Sequence, residues 1–238
     1  MTARECAYLP AMTSAPNPGA GRARGALLGL AVLMTLHALT SLVFWLLRSS
    51  LIERARNDGY DSVMSTLEAL ATTQLSIGGL FLFVAVALAG LVTSALPKGR
   101  RAVGAVALGA TTLSFLLFCG DRVLPEPDYP LSGDPISTGF LLRSVYWMLS
   151  AVVAVVAHTA FVWAGARARA ATSVVLVLGL GLYALGIVGL ELFGIGSSLA
   201  QLDLPRELAT VQRIVLIALR LLLALLAALA AFWPAKKT

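Results

Sequence analysis

Six stretches of this sequence each run about 20 residues with almost no charged side chain, and that pattern leaves few folds open. They span 26–47, 75–95, 102–119, 144–165, 171–193 and 211–233. A bilayer hydrocarbon core of about 30 Å is crossed by roughly 20 apolar residues in a helix. In water, such runs expose more contiguous apolar surface than a soluble domain tolerates. Strands of a membrane barrel alternate between lumen and lipid, whereas these runs are continuously apolar. Helices remain, because each satisfies its own backbone polar groups in lipid. The composition agrees, with 58% hydrophobic and 13% charged residues and a mean hydropathy of +0.86. The sequence therefore predicts an all-α, polytopic transmembrane helix bundle of about six spans, a single domain over 26–233.

The gaps between spans set the orientation, since Lys and Arg in short flanks stay on the cytoplasmic side. Arg22 and Arg24 precede the first span, and Lys98, Arg100 and Arg101 follow the second. Arg167 and Arg169 follow the fourth, and Lys236 and Lys237 close the chain. The alternate gaps mix signs. The first holds Arg48, Arg54 and Arg56 with Glu53, Asp58, Asp61 and Glu68. The third holds Asp121, Glu126, Asp128 and Asp134 with Arg122 and Arg143, and the fifth Asp203 and Glu207 with Arg206. Both termini are expected in the cytoplasm, although the first gap, with three Arg, fits this rule least well. The basic flanks account for most of the net charge of +6. Their ordinary partners are anionic lipid headgroups at the cytoplasmic face. Nucleic acid is not an expected partner, because no folded soluble domain presents a basic face. Size and the Ala, Leu and Arg content suit a bacterial cytoplasmic (inner) membrane.

Residues 1–25, rich in Ala, Pro, Gly and Ser and without periodicity, read as a disordered cytoplasmic tail. Residues 234–238 form a short basic cytoplasmic tail, and Met12 is an alternative start to Met1. No cleavable signal peptide is apparent. Cys6 and Cys119 are expected on opposite sides of the membrane, which excludes an intramolecular disulfide and a Cys-based metal site. Val63, Leu67 and Leu70 fall at helical spacing, so the second helix is expected over 62–96. At 1.5 Å per residue it is about 50 Å long, and the Gly78–Gly79 pair offers a place to bend. The Pro-rich gap at 120–135 reads as an irregular outer cap.

Ionisable groups inside spans are costly and default to functional hypotheses. Arg206, Arg213 and Arg220 recur every seven residues, close to two helical turns, and so share one face of the sixth helix. Arg220 lies about 22 Å along that helix from Pro205, near the midplane. Glu191 on the fifth span is the expected mate of Arg213 or Arg206. For Arg220 no carboxylate is deep enough, which leaves backbone carbonyls, Gln74, Tyr183, water or a bound anion. One reading is a basic cleft that holds an anionic solute or lipid phosphate through Arg forks, with Arg213, Arg220, Glu191, Gln74 and Tyr183 as ligand-binding candidates. The plainer reading is an ion pair and a polar contact serving assembly alone.

His37 and His158, the only histidines, fall inside the first and fourth spans. Imidazoles from two helices are suited to ligate one haem b iron, and their depths differ by roughly 6 Å. A proton relay is a further alternative, and satisfied packing histidines are the plainest one. The run Thr72, Thr73, Gln74 and Ser76 reads as interhelical glue. Gly104, Gly109, Gly179, Gly181, Gly186 and Gly189 read as sites of close helix approach. No catalytic motif occurs, so neither a catalytic residue nor a metal site is expected. The leading expectation is a non-enzymatic membrane protein that binds or transports an anion at an Arg-lined cleft. The alternatives are a haem-binding redox protein, or a structural or accessory subunit that packs on a membrane-protein partner or on its own copies.

Overall fold

A computed structural model describes residues 18–59, 61, 63–124, 136–168, 174–199 and 206–233. Among them the long elements are all helical: α1 (Pro18–Asp58), α2 (Met64–Ala95), α3 (Arg101–Val123), α4 (Thr138–Ala168), α5 (Val174–Leu199) and α6 (Arg206–Phe232). All six are long and apolar enough to cross a membrane. The chain is a multi-pass membrane protein.

Helix bounds depart from the sequence reading in several places. Helix α1 opens at Pro18, so 18–25 are helical rather than irregular. Pro suits a first helical turn, where its missing N–H removes no bond. At its other end α1 runs through the first mixed-charge gap to Asp58, 41 residues in all, or about 60 Å. Asp121 and Arg122 belong to α3 and Arg143 to α4. The remainder of the third gap, 125–135, lies outside the described residues, as do 1–17 and 234–238. Helix α2 starts at Met64, capped by the buried Val63. It passes Gly78–Gly79 unbroken, and the pair receives the Phe118 ring of α3, 3.0 Å from where a Gly79 Cβ would stand.

Consecutive helices pack on one another, and α6 closes the bundle against α1. Helix α4 also touches α1, α2 and α6, whereas α2 and α6 do not pack together. Leucines seat on glycines where backbones approach: Leu88 on Gly29, Leu27 on Gly165, Leu226 on Gly179 and Leu219 on Gly186. The order is antiparallel: Leu88–Gly29, Leu27–Gly165 and Leu226–Gly179 each join the early part of one helix to the late part of another, and Leu219–Gly186 joins the middles of α6 and α5. The backbones of α2 and α3 also approach closely. A Cβ on Gly104 would stand 2.9 Å from Thr93 Cα, and Thr93 Oγ1 lies 2.9 Å from the Gly104 carbonyl oxygen. Gly109, Gly181 and Gly189 border open space instead. The glycines thus divide between helix seams and the bundle surface.

The packed core occupies one end. It is built from Leu27, Leu30 and Met34 of α1, Ala85, Ala89 and Val92 of α2, Phe161 and Val162 of α4, Leu176 and Leu180 of α5, and Leu223, Ala227 and Ala231 of α6. All lie toward the start of α1 and the end of α6. That end also carries Arg22, Arg24, Lys98, Arg100 and Arg101, and is called the basic end below. At the opposite, mixed-charge end the inner faces open. Gln74 sits about three turns before Ala85, on the same face of α2, yet it is exposed where Ala85 is fully buried.

The α3–α4 side is tied together at the mixed-charge end. Arg143 Nη2 donates to both Oδ1 and the carbonyl oxygen of Asp121 at 2.9 Å. Trp147 Nε1 donates to the same carboxylate at 3.3 Å, and the Tyr146 hydroxyl donates to the Leu117 carbonyl. The Arg143 guanidinium also lies 5.9 and 5.7 Å from the Tyr146 and Trp147 ring centroids.

Candidate functional site

Where α1, α2 and α6 diverge, the interior holds a cleft of about 250 Å³. Its walls are Ser41, Phe44, Trp45 and Arg48 of α1, Gln74 of α2, and Arg213, Leu216, Ile217 and Arg220 of α6. Every one of these residues is on the inner face of its helix, because residues three, four and seven apart share a face. The volume falls below the roughly 300–1,000 Å³ of pockets for drug-sized ligands. Arg48 and Gln74 also border a second groove of about 400 Å³ toward the mixed-charge end, with Ile52, Met64, Leu67, Glu68, Leu70 and Ala71. The cleft therefore has a path out at that end and packed side chains below it.

The arginines stand in two tiers. At the deeper tier Arg220 Nη1 donates to Ser41 Oγ, and the Ser41 hydroxyl donates in turn to the His37 carbonyl oxygen at 2.8 Å. One hydroxyl thus serves as acceptor and donor at once. Seven residues farther along each antiparallel helix, toward the mixed-charge end, Arg48 and Arg213 face each other closely enough for their charges to act on one another. The tiers are about 10 Å apart along the helices. Among the described residues no carboxylate lines the cleft, and the adjoining groove holds Glu68.

Both histidines meet the deeper tier. The Arg220 charge acts on His37, His158 and Tyr183, and that of His158 on His37. His158 Nδ1 and Tyr183 Oη are 2.8 Å apart, with their rings edge to face. The His37 ring is 5.2 Å from that of Phe81. Helices α1, α4, α5 and α6 therefore contribute one polar layer directly above the packed core.

Of the residues singled out from sequence, Arg213, Arg220 and Gln74 share the cleft, whereas Tyr183 stands in the polar layer behind it. Glu191 does not line the cleft, and among the described residues it makes no ion pair with Arg213. Glu191 is half-buried on α5. Neither histidine lines the cleft. Sequence reasoning missed Arg48, counted as a loop charge, and Ser41. A signal was present: Ser41 and Arg48 are spaced by seven residues, as Arg213 and Arg220 are. It also kept His37, His158 and Arg220 in separate sets. Counted from the Leu27–Gly165 contact, His37 is ten residues and His158 seven residues toward the mixed-charge end, so the two differ by about 5 Å in depth.

Comparison with models of protein families, with curated proteins and with solved structures finds no match to this chain.

Proposed function

We propose that this membrane protein binds a small oxyanion, free or as the headgroup of a lipid, in the cleft between α1, α2 and α6. One observation carries the reading: Arg48, Arg213 and Arg220 converge on a cavity whose lining, among the described residues, contains no carboxylate. Facing guanidinium groups repel, and walls of low polarity strengthen that repulsion. An anion seated between the tiers removes it and supplies acceptors for planar Arg forks, which match carboxylate and phosphate geometry. Gln74 and Ser41 add neutral hydrogen-bonding groups that fix the anion's orientation. With the basic end in the cytoplasm, the cleft opens to the outside, so the ligand arrives from the extracytoplasmic side.

Binding of sulfate and of inorganic phosphate to protein in nanodiscs of zwitterionic lipid tests this. Arg220→Gln keeps hydrogen-bonding capacity and removes the charge. A hydrogen bond to a charged group is worth about 1.5–3 kcal/mol, so affinity should fall roughly 10- to 150-fold. Arg213→Gln should weaken binding less, because Arg213 is the more exposed of the two. Adding phosphatidylglycerol to the nanodisc separates the two sources. If a lipid headgroup is the occupant, that lipid competes with sulfate; if a free anion is, sulfate affinity stays the same. Equal affinity in wild type and Arg220→Gln would overturn the proposal.

A further inference from the structure

Resting on that anion site, we infer that its ligand is a water-soluble organic oxyanion, whose charged end enters the cleft and whose apolar body lies in the adjoining groove. The two cavities are continuous, since Arg48 and Gln74 line both. Beyond that shared rim the groove, of about 400 Å³, is walled by Ile52 of α1 and by Met64, Leu67, Leu70 and Ala71 of α2. With the cleft of about 250 Å³, the connected space falls within the roughly 300–1,000 Å³ of pockets for small organic ligands. A bare sulfate would leave the groove unfilled. The apolar wall also stands where the sequence is otherwise polar. Residues 48–58 and 64–74 lie outside the apolar stretches 26–47 and 75–95 and are rich in Ser, Thr, Glu and Arg. Ile52, Leu67 and Leu70 are only half-buried and Met64 is exposed, so an apolar group laid along them removes further apolar surface from water.

Position along the helices selects the source of the anion. Going outward, α1 presents Ser41, Arg48 and then Ile52, and α2 presents Gln74, Leu70, Leu67 and then Met64. The arginines are thus the deep end and the apolar wall the outer end, with about 15 Å of helix from Gln74 to Met64. A bilayer lipid has the reverse arrangement, with its headgroup outward and its chains inward. An organic anion that enters head first from the water meets cleft and groove in the right order. Glu68 is the carboxylate bordering the groove among the described residues, and it disfavours a second negative group at the far end. The ligand class is therefore a single oxyanion, such as a sulfate or phosphate ester, sulfonate or carboxylate, carried on an uncharged apolar body.

Methyl, butyl and hexyl sulfate carry the same charge on chains of rising length, and calorimetric titration into wild-type protein in zwitterionic nanodiscs, with empty nanodiscs subtracted, tests this. A fully buried methylene is worth about fourfold in affinity; at about twofold each in a half-open groove, hexyl sulfate should bind roughly 30-fold more tightly than methyl sulfate. Ala71→Phe fills the groove with a larger apolar side chain, and Leu67→Ser removes part of its wall. In both, methyl sulfate should bind much as in wild type, while the gain from chain length shrinks several-fold. Arg220→Gln should weaken methyl and hexyl sulfate alike. Equal affinity for methyl and hexyl sulfate in wild type would overturn the inference and leave the anion site standing. A chain-length gain undiminished in Ala71→Phe and Leu67→Ser would place the chain in the bilayer and also overturn it. Displacement of hexyl sulfate by phosphatidylglycerol in the nanodisc would assign the site to a lipid and overturn the water-soluble ligand. Failure of the wild type to bind sulfate or any alkyl sulfate would remove both proposals. Methyl sulfate binding reports that a variant is folded, and two variants of opposite kind keep the test intact if one is not.

Discussion

At the scale of single residues, Arg220 explains why this bundle is not a simple apolar plug. An ionised side chain near the membrane centre costs about 2.5–3.5 kcal/mol on insertion scales, and here one hydroxyl, Ser41, is bonded to it directly. The rest of the guanidinium faces the cleft, where water or an anion can serve it. Lys at this position would keep the charge and lose the fork, so Arg220→Lys should bind sulfate with affinity between wild type and Arg220→Gln. A second residue-scale prediction concerns packing. Gly104→Ala sets a methyl 2.9 Å from the Thr93 Cα, a backbone atom that cannot swing away. Overpacking of this kind costs typically 1–3 kcal/mol. Gly109→Ala meets nothing within 4 Å and gains helix propensity. Thermal unfolding in detergent should show a clear loss of stability for the first and no loss for the second. The heptad of Arg213 and Arg220 was visible in the sequence because helical phase alone puts them on one face. Which glycines sit in seams was not, because that depends on the partner helix: Gly179 and Gly181 look alike until Leu226 is placed.

Among the elements, α1 and α6 form the working pair. Their antiparallel register sets Ser41 beside Arg220 and Arg48 opposite Arg213, and the same seven-residue spacing brings Met34 and Ala227 to one level in the core. One register therefore produces a sealed lower half and a charged upper half. Helices α3 and α4 do the opposite work at the open end. Asp121→Asn removes the negative charge that Arg143 faces, while Arg143 Nε and Nη1 are already buried without partners among the described residues. Breaking a buried pair costs about 3–5 kcal/mol. Asp121 is partly exposed, so the loss should be smaller, about 2 kcal/mol, read as a lowered unfolding temperature with sulfate binding still measurable. An unchanged unfolding temperature would show that the clamp does not hold α3 to α4. The spans themselves were legible, since apolar length alone specifies a membrane helix. Their extensions were not. Residues 49–58 and 121–123 carry charges that suggest loops, but a helix can continue past its apolar stretch, and here it does.

For the whole molecule, the core and the cleft divide the bundle into a closed half and an open half. Leu27, Leu223 and Phe161 are fully or almost fully buried below the polar layer, so among the described residues packed side chains separate Arg220 from the basic end. Passage across the membrane would require a second arrangement in which that half opens and the α1–α2–α6 half closes, as in alternating access. With the basic end in the cytoplasm, as Lys and Arg placement predicts, the opening of the cleft is a directional property. The most direct measurement is labelling of single cysteines, in a Cys6→Ser, Cys119→Ser background, with a membrane-impermeant maleimide applied to either face of the membrane. Gln74→Cys should label only from the extracytoplasmic face and should be protected by sulfate, while Ala85→Cys, about three turns deeper on the same side of α2, should not label from either face. Labelling of Ala85→Cys as readily as Gln74→Cys, or of Gln74→Cys only from the cytoplasmic face, would contradict an outward-opening cleft above a sealed core.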